Sequence, residues 1–244
     1  MKKTSFYIIA ALLLFACAKP KVDAVVNNEP NRPYIAKFHE ALRYKQMGRI
    51  DQAITAFEAC LLINSEDDAA YYALSQLYLT KEEREKSGAA IKRAVELDSG
   101  NKWYLQEYGF MLFEFQKYKE AAQVFKQLSD KEPRNHDWLL SQGEALLQAG
   151  ELSEAVKVLN KIEAQLGRNP EMSVEKFRLY REIKQDEKAE EELIKTLELY
   201  PGNAQLLAHL VDYYFEKKQD EKAFSYLIKL SKSGIDKKDI KSVQ

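Results

Sequence analysis

The sequence contains few helix-breaking residues and none of the common catalytic motifs. Only 9 of its 244 residues are glycine and 6 are proline, both below ordinary usage. It has no phosphate-binding G-x-x-x-x-G-K-[S/T] loop, no G-x-G-x-x-G dinucleotide motif, no G-x-S-x-G nucleophile elbow and no zinc-binding H-E-x-x-H pair. These absences favour an all-helical protein that is not an enzyme, and we predict no catalytic residue and no cofactor.

Metal ligands and net charge are scarce as well. The three histidines, His39, His136 and His209, lack metal-ligand spacing, so no metal site is predicted. The formal net charge is −1, and it becomes −3 when the two positive charges of Lys2 and Lys3 are removed with an N-terminal signal. Nucleic-acid binding needs a basic stripe, which a near-neutral chain lacks. We therefore expect neither nucleic-acid binding nor electrostatic docking on a membrane.

Residues 102–135 form a 34-residue pattern of two apolar helices separated by a polar break at Gln116 and Lys117. Stepping by 34 residues keeps a small side chain at position 20 of each window: Ala53, Ser87, Ala121, Ala155, Ala189 and Ala223. It keeps a large apolar side chain at position 24: Phe57, Ile91, Phe125, Leu159, Leu193 and Leu227. We therefore predict six units, at residues 34–67, 68–101, 102–135, 136–169, 170–203 and 204–237.

This pattern resembles the tetratricopeptide repeat (TPR), a helix–turn–helix unit with apolar or small residues at fixed positions. The resemblance implies an all-α TPR solenoid, a right-handed superhelix of six repeats whose core continues from unit to unit. Position 8 of the repeat is normally small, but it holds Phe177 in unit five and Val211 in unit six. We expect the helices of these two units to be splayed or repacked.

The N-terminus has the layout of an export signal. Two lysines precede an apolar run at residues 6–16, which is too short to span a bilayer core of about 30 Å. The motif LFAC at residues 14–17 resembles the lipobox of bacterial lipoproteins. The resemblance implies a signal peptide at residues 1–16 and lipidation of Cys17.

Residues 17–33, which include three prolines, are predicted to be a flexible tether after the lipidated cysteine. Because Ala18 rather than Asp follows that cysteine, the lipoprotein resemblance implies an outer-membrane location facing the periplasm. The alternative is ordinary cleavage after Ala18, which would give a soluble periplasmic protein. A lipid on Cys17 would leave Cys60 without a disulfide partner, so we expect Cys60 to pack in the core of unit one.

One face of the first helix in each unit is predicted to bind a partner. Positions 4, 7, 8 and 11 have the spacing of a core-packing stripe, whereas positions 2, 5, 9 and 12 lie on another face. In the TPR family that second face lines the concave groove, and the resemblance implies the same here. The predicted partner-binding residues are Phe38, Tyr72, Trp103, Phe110, Phe113, Leu140, Leu147, Arg178 and Arg181. For any one of them, the alternative is a structural role against a neighbouring repeat.

Two further segments carry patterns that a structure can test. The three glutamates at residues 190–192 lie among lysines and are expected to form a solvated face. The last helix carries Ala223, Leu227 and Leu230 toward a further unit, while residues 238–244 form only a short stub. Either that tail folds over the apolar face, or a partner covers it, or the chain is shorter than its relatives; we expect the third.

The favoured function is a non-enzymatic scaffold, held at the bacterial envelope by its lipid alone, with a protein or peptide partner in the groove. Residues 160–180 (NKIEAQLGRNPEMSVEKFRLY) resemble TPR outer-membrane lipoproteins of Bacteroidota-type bacteria. One alternative is an assembly factor, similar to the six-repeat TPR lipoproteins that act as pilotins for type IV pilus secretins. A second is a glycan- or peptidoglycan-binding module that uses Tyr72 and Trp103. A carboxylate clamp of the chaperone-binding TPR type is excluded, because Phe38 and Leu42 replace its Lys and Asn.

Overall fold

The computed structural model describes residues 32–233, which form twelve α-helices and, within that range, no β-strand. The helices are α1 (Arg32–Gln46), α2 (Ile50–Ile63), α3 (Asp68–Thr80), α4 (Arg84–Leu97), α5 (Lys102–Glu114), α6 (Tyr118–Lys131), α7 (Asp137–Gln148), α8 (Leu152–Leu166), α9 (Pro170–Glu182), α10 (Asp186–Leu199), α11 (Ala204–Glu216) and α12 (Asp220–Ser233). Odd-numbered helices are the first helices of the six units, and even-numbered helices are the second. Each first helix packs against the second helix of its own unit, and units stack in chain order. The predicted all-α solenoid is confirmed.

Several predictions from the sequence lie outside the described residues. These are the signal peptide at residues 1–16, the lipidated Cys17, all but the end of the tether at residues 17–33, and the stub at residues 238–244. Helix α1 begins at Arg32, so the last two residues of the predicted tether are helical. Among residues 32–233, no helix combines the length and hydrophobicity that crossing a bilayer requires.

The turn between the two helices of a unit recurs with the period of the sequence. One residue in each turn has a positive φ, and these residues are 34 apart: Gly48, Glu82, Gln116, Gly150, Lys184 and Lys218. Their φ angles lie between 56° and 72°, in the left-handed region. The next residue's amide then reaches back along the first helix, as when Lys117 donates to the carbonyl of Leu112 at 2.9 Å. This bond ends the first helix and turns the chain into the second.

Most first helices begin at an Asp or Asn side chain. The side chains of Asp67, Asn101, Asn169 and Asn203 accept hydrogen bonds from backbone amides in the first turns of α3, α5, α9 and α11, respectively. Such caps satisfy amide groups that the helix itself leaves unpaired and stabilise it by about 1 kcal/mol each. The breaks between units are therefore set by local chemistry as well as by packing.

The core follows the alternation of small and large residues. All six position-20 residues are fully buried, which lets the paired helices approach closely. The position-24 residues are buried in units one, two, three and five, Leu159 is half-buried, and Leu227 in the last unit is exposed. Cys60 is fully buried in unit one with a free thiol, as expected, and burial raises the pKa of that thiol.

The large residues at position 8 are accommodated by repacking. In unit three, a Cβ added at Gly109 would lie 2.9 Å from the Phe125 ring, so this position has no room for a side chain. In unit five, Phe177 is buried with its ring centroid 5.7 Å from that of His209 and 6.0 Å from that of Tyr213, both in α11. The extra bulk therefore packs toward the following unit.

Candidate partner-binding groove

The predicted aromatic surface forms a cavity between two consecutive first helices, α3 and α5. The cavity has a volume of about 270 Å³, and no residue of a second helix lines it. Its lining consists of Tyr72, Leu79, Trp103, Gln106, Glu107, Phe110, Met111 and Glu114. We call this site the α3–α5 cavity. It brings together three of the predicted partner-binding residues, Tyr72, Trp103 and Phe110.

Two aromatic rings at the cavity remain open to solvent. The Trp103 side chain is 58% exposed, and the Lys102 ammonium lies 4.9 Å above its ring centroid. Phe110 is 46% exposed, although its ring also contacts Phe125 in α6, with the centroids 5.4 Å apart. Large exposed apolar groups lining one cavity are typical of interaction sites.

The third ring, Tyr72, is more firmly held. It is half-buried, with its ring centroid 4.7 Å from that of Tyr104. The Tyr104 hydroxyl in turn donates to the Asp68 carboxylate at 2.9 Å. These contacts hold one wall of the cavity in a fixed position.

Glu107 places a half-buried carboxylate in the cavity, and the repeat pattern gave no sign of it. The carboxylate accepts a hydrogen bond from the Ser75 hydroxyl at 2.5 Å. Lys45 approaches from α1, but its ammonium donates to the Gln76 side chain at 2.5 Å. Burial raises the pKa of Glu107, while its bonds to Ser75 and Gln76 and the charge of Lys45 oppose that rise. Glu107 occupies position 6, outside the positions assigned to the partner-binding face.

Four other predicted residues lie away from the cavity. Phe38 is half-buried and packs edge-on against Phe57, with the centroids 5.5 Å apart. Phe113 and Leu147 are half-buried against the core of units three and four, so packing accounts for both. Leu140, on α7, is exposed and continues the apolar surface beyond Phe110.

The two predicted arginines differ in their surroundings. Arg178 is exposed and lies 3.7 Å from Glu175 of its own helix. Arg181 instead connects three helices, because its guanidinium lies 2.9 Å from Asp186 in α10 and 2.5 Å from Glu216 in α11. It also stacks over the Tyr213 ring at 5.2 Å. These contacts occupy Arg181 within the protein, whereas Arg178 faces solvent.

A second polar site lies between α8, α9 and α10. Lys176, which is only 1% exposed, pairs with Glu163 and lies 2.8 Å from Glu192. Arg168 lies 2.5 Å from Glu163 and 2.9 Å from Glu192. We call these four residues the ion-pair cluster. The expectation that residues 190–192 form a solvated face is therefore wrong for Glu192, which is buried as part of this cluster.

The ion-pair cluster borders an open cavity of about 440 Å³, which Lys188 and Lys195 of α10 also line. Each carboxylate of the cluster already meets two cations, so the four charges neutralise one another. Among residues 32–233, no group of three or more His, Cys, Asp or Glu side chains could hold a metal ion.

Comparisons with known proteins agree with the repeat geometry. Two tetratricopeptide-repeat family models match residues 38–102 and 112–175, which together span just over half of the chain. A search of curated proteins finds no match.

Solved structures share the fold at low sequence identity. The structure of Naa15/Naa10 bound to HypK-THB is 15% identical, with a TM-score of 0.66 over 84% of this chain. That match spans about a third of the other chain (34%). YrrB, described as a TPR protein with an unusual peptide-binding site, is 18% identical, with a TM-score of 0.52 over 74% of this chain and 94% of its own. The chain therefore belongs to the tetratricopeptide-repeat family, and its residues 32–233 fold as a TPR solenoid.

Proposed function

We propose that the chain is a non-enzymatic scaffold that binds a segment of a protein partner along α3, α5 and α7. The observation that carries this proposal is the α3–α5 cavity, where Trp103 and Phe110 remain exposed beside a pocket that the fold itself leaves unfilled. Aromatic side chains in such positions are the residues that most often dominate binding energy at protein interfaces. YrrB, with its peptide-binding site, supports the same class of function.

The shape of the site favours a peptide-like segment over a compact ligand. The cavity is bounded by two neighbouring first helices, and Leu140 extends the apolar surface onto the next one, α7. A segment lying across these helices could place an apolar side chain between Tyr72 and Trp103 and then contact Phe110 and Leu140. Grooves between helices commonly take helical or extended segments through such spaced anchors.

The partner-binding surface is tested by cross-linking in cells. A photoreactive phenylalanine analogue at Phe110 should give a defined adduct with a protein partner, and Trp103→Ala in the same chain should remove that adduct. The matched control places the analogue at Leu62, which is exposed on a second helix, α2. Identical adducts from both positions, or an adduct that survives Trp103→Ala, would contradict the proposal. The identity of the captured protein separates a general adaptor from an assembly factor.

The proposal includes anchoring at the outer membrane through acyl chains on Cys17. Each buried CH₂ contributes about 0.8 kcal/mol, so several acyl chains hold a protein firmly on a membrane. A tether from Cys17 to the start of α1 spans up to about 50 Å when extended, which lets the solenoid stand off the surface. Labelled fatty acid should be incorporated by the natural chain and not by Cys17→Ala. Mature protein beginning after Ala18, without lipid, would instead establish a soluble periplasmic protein.

A glycan-binding module is the second candidate, because the exposed face of Trp103 beside Tyr72 resembles the aromatic surface on which sugar rings stack. Sedimentation with purified peptidoglycan sacculi distinguishes it from a protein-binding scaffold. A glycan binder would co-sediment and lose that binding in Trp103→Ala. A protein-binding scaffold would stay in the supernatant in both forms.

A further inference from the structure

The charges at the α3–α5 cavity are of one sign. Glu107 and Glu114 are the two charged residues that line it. Glu114 lies 3.8 Å from the guanidinium of Arg84, and both side chains are exposed. Such surface ion pairs contribute little free energy. Within residues 32–233, no ammonium or guanidinium forms an ion pair with Glu107. The nearest basic residue on α5, Lys102, donates to Glu132 at 2.6 Å and points to the next loop.

The acidic character continues onto α7. This helix contains Asp137 and Glu144 and not a single lysine or arginine. Both acids are exposed, and Leu140 is exposed between them. Their spacing of three and four residues places all three on one face of the helix. Neither acid has an ion-pair partner among the described residues, so the apolar surface formed by Phe110 and Leu140 is flanked by free carboxylates.

The half-buried Glu107 carboxylate has lost part of its hydration, and no cation contacts it directly, because the nearby Lys45 ammonium donates to Gln76 instead. A lysine or arginine arriving with a partner would supply that charge in a partly desolvated site, where charge-assisted hydrogen bonds are strong. The exposed ring of Trp103 adds a second attraction for cations, as the position of Lys102 over its face shows.

We propose that the segment bound in the α3–α5 cavity carries a lysine or arginine close to the apolar or aromatic side chain that enters it. This inference rests on the proposed function and specifies the partner. The apolar anchor occupies the space between Tyr72, Trp103 and Phe110, and the basic group lies against Glu107. Further basic residues of the segment would face Glu114 or the acids of α7.

The test is selection of random 12-residue peptides displayed on phage against the full 244-residue chain. Peptides that also bind the double variant Trp103→Ser with Phe110→Ser are discarded; both substituted side chains are exposed, and circular dichroism checks that the fold is kept. The surviving peptides should be enriched in Lys or Arg within four positions of an aromatic or aliphatic residue.

The selected peptide is then synthesised, and its affinity is measured by fluorescence anisotropy. Glu107→Gln should weaken binding about tenfold and reduce its salt dependence, as expected when a desolvated charge pair is lost. Glu96→Gln is the matched control, because Glu96 is exposed on a second helix, α4, and should leave the affinity unchanged.

The outcomes separate the two levels of the proposal. If no peptide discriminates the natural chain from the double variant, the proposed peptide-binding function fails. If peptides depend on Trp103 and Phe110 but are neutral or acidic, or bind Glu107→Gln equally well, the proposed function stands and the preference for a basic segment is overturned.

Discussion

The α3–α5 cavity and the ion-pair cluster both hold carboxylates away from water, but they differ in whether cations pair with those carboxylates. In the cluster, Glu163 and Glu192 each meet both Lys176 and Arg168. In the cavity, Glu107 is hydrogen-bonded to Ser75 and Gln76 and forms no ion pair among the described residues, and two aromatic rings beside it stay exposed. In the cluster every charge is paired, and the pairs link units four and five. The cavity lacks such pairing among the described residues, and the basic segment proposed above would supply it.

The difference extends to hydrogen bonding around each site. Thr196 accepts from Arg168 at 3.0 Å and its hydroxyl lies 2.6 Å from that of Ser173, so the cluster continues into the packing of α9 and α10. A buried polar network of this kind is costly to break at one member, because the remaining charges lose their partners. Neutralising Glu107, which forms no ion pair among the described residues, should reduce the stability of the fold much less.

The largest expected effect comes from removing one charge of the cluster. Lys176→Met leaves Glu163 and Glu192 with one cation between them, so the free energy of unfolding should fall by about 3–5 kcal/mol. Lys188→Met, at an exposed lysine beside the same cavity, should change it by less than about 0.5 kcal/mol. Chemical denaturation of both variants measures the contrast. Equal changes in the free energy of unfolding for the two variants would contradict a larger energetic role for Lys176.

The next comparison uses position 8 in units three and four. Gly109→Ala should destabilise the protein by about 1–3 kcal/mol, because the new methyl group meets the Phe125 ring at 2.9 Å. Gly143→Ala should stabilise it by up to about 1 kcal/mol, since the nearest atom, on Val158, is at an ordinary 3.6 Å and alanine favours the helix. The midpoint temperature of thermal unfolding should fall for Gly109→Ala and rise for Gly143→Ala. Shifts of the same sign would contradict the packing described for Gly109.

A smaller effect distinguishes the turns within units. Gln116 has a φ of 59°, which costs an L-residue energy that glycine avoids, so Gln116→Gly should stabilise the protein by about 0.5–1 kcal/mol. Gly150→Ala, at the same place in the next unit with a φ of 72°, should destabilise it by a similar amount. Differential scanning calorimetry of the two single variants measures the difference. A lower melting temperature for Gln116→Gly would argue against the left-handed turn.

The smallest expected effect is a change in how stability depends on pH. The pKa of Glu107 is raised by burial, so the unfolded chain releases this proton at a lower pH than the folded chain does. The natural protein should therefore lose stability as pH rises from the ordinary glutamate value of about 4.3 through the raised value, and level off above it. Glu107→Gln removes this loss, although Lys45, Ser75 and Gln76 moderate it. If stability depended on pH in the same way in the natural protein and in Glu107→Gln, the raised pKa of Glu107 would be contradicted.

The regular parts of the fold were predictable from the sequence because one period governs them. The small and large residues at positions 20 and 24 reveal the helix pairs, since their spacing reflects a close crossing that every unit shares. The turns were less visible, because only Gly48 and Gly150 mark a left-handed residue by type. Glu82, Gln116, Lys184 and Lys218 adopt the same conformation because the packed helices on either side require it.

The irregular parts depend on contacts that a repeat pattern does not encode. Glu192 belongs to a charged run, and its partner Lys176 lies in the preceding helix, so the run resembled a solvated face. Phe113 stands at a position of the predicted binding face, yet its ring packs against Tyr118 at the start of α6, with the centroids 5.0 Å apart. Glu107 was missed for the opposite reason: position 6 lies outside the predicted binding face, yet its carboxylate lines the cavity and accepts a hydrogen bond from Ser75 of the preceding unit.

The recurring left-handed turn has a consequence for how this molecule can change. Each turn is closed by the same backbone hydrogen bond, whether its left-handed residue is glycine, glutamate, glutamine or lysine. Whole modules of 34 residues can therefore be inserted or removed without altering the turns that remain. Insertion or removal of a module preserves the fold only where neighbouring modules share no specific side-chain contacts across their boundary. Among residues 32–233, the boundary between units four and five carries the ion-pair cluster, so duplication or loss of a module there would leave buried charges without their partners.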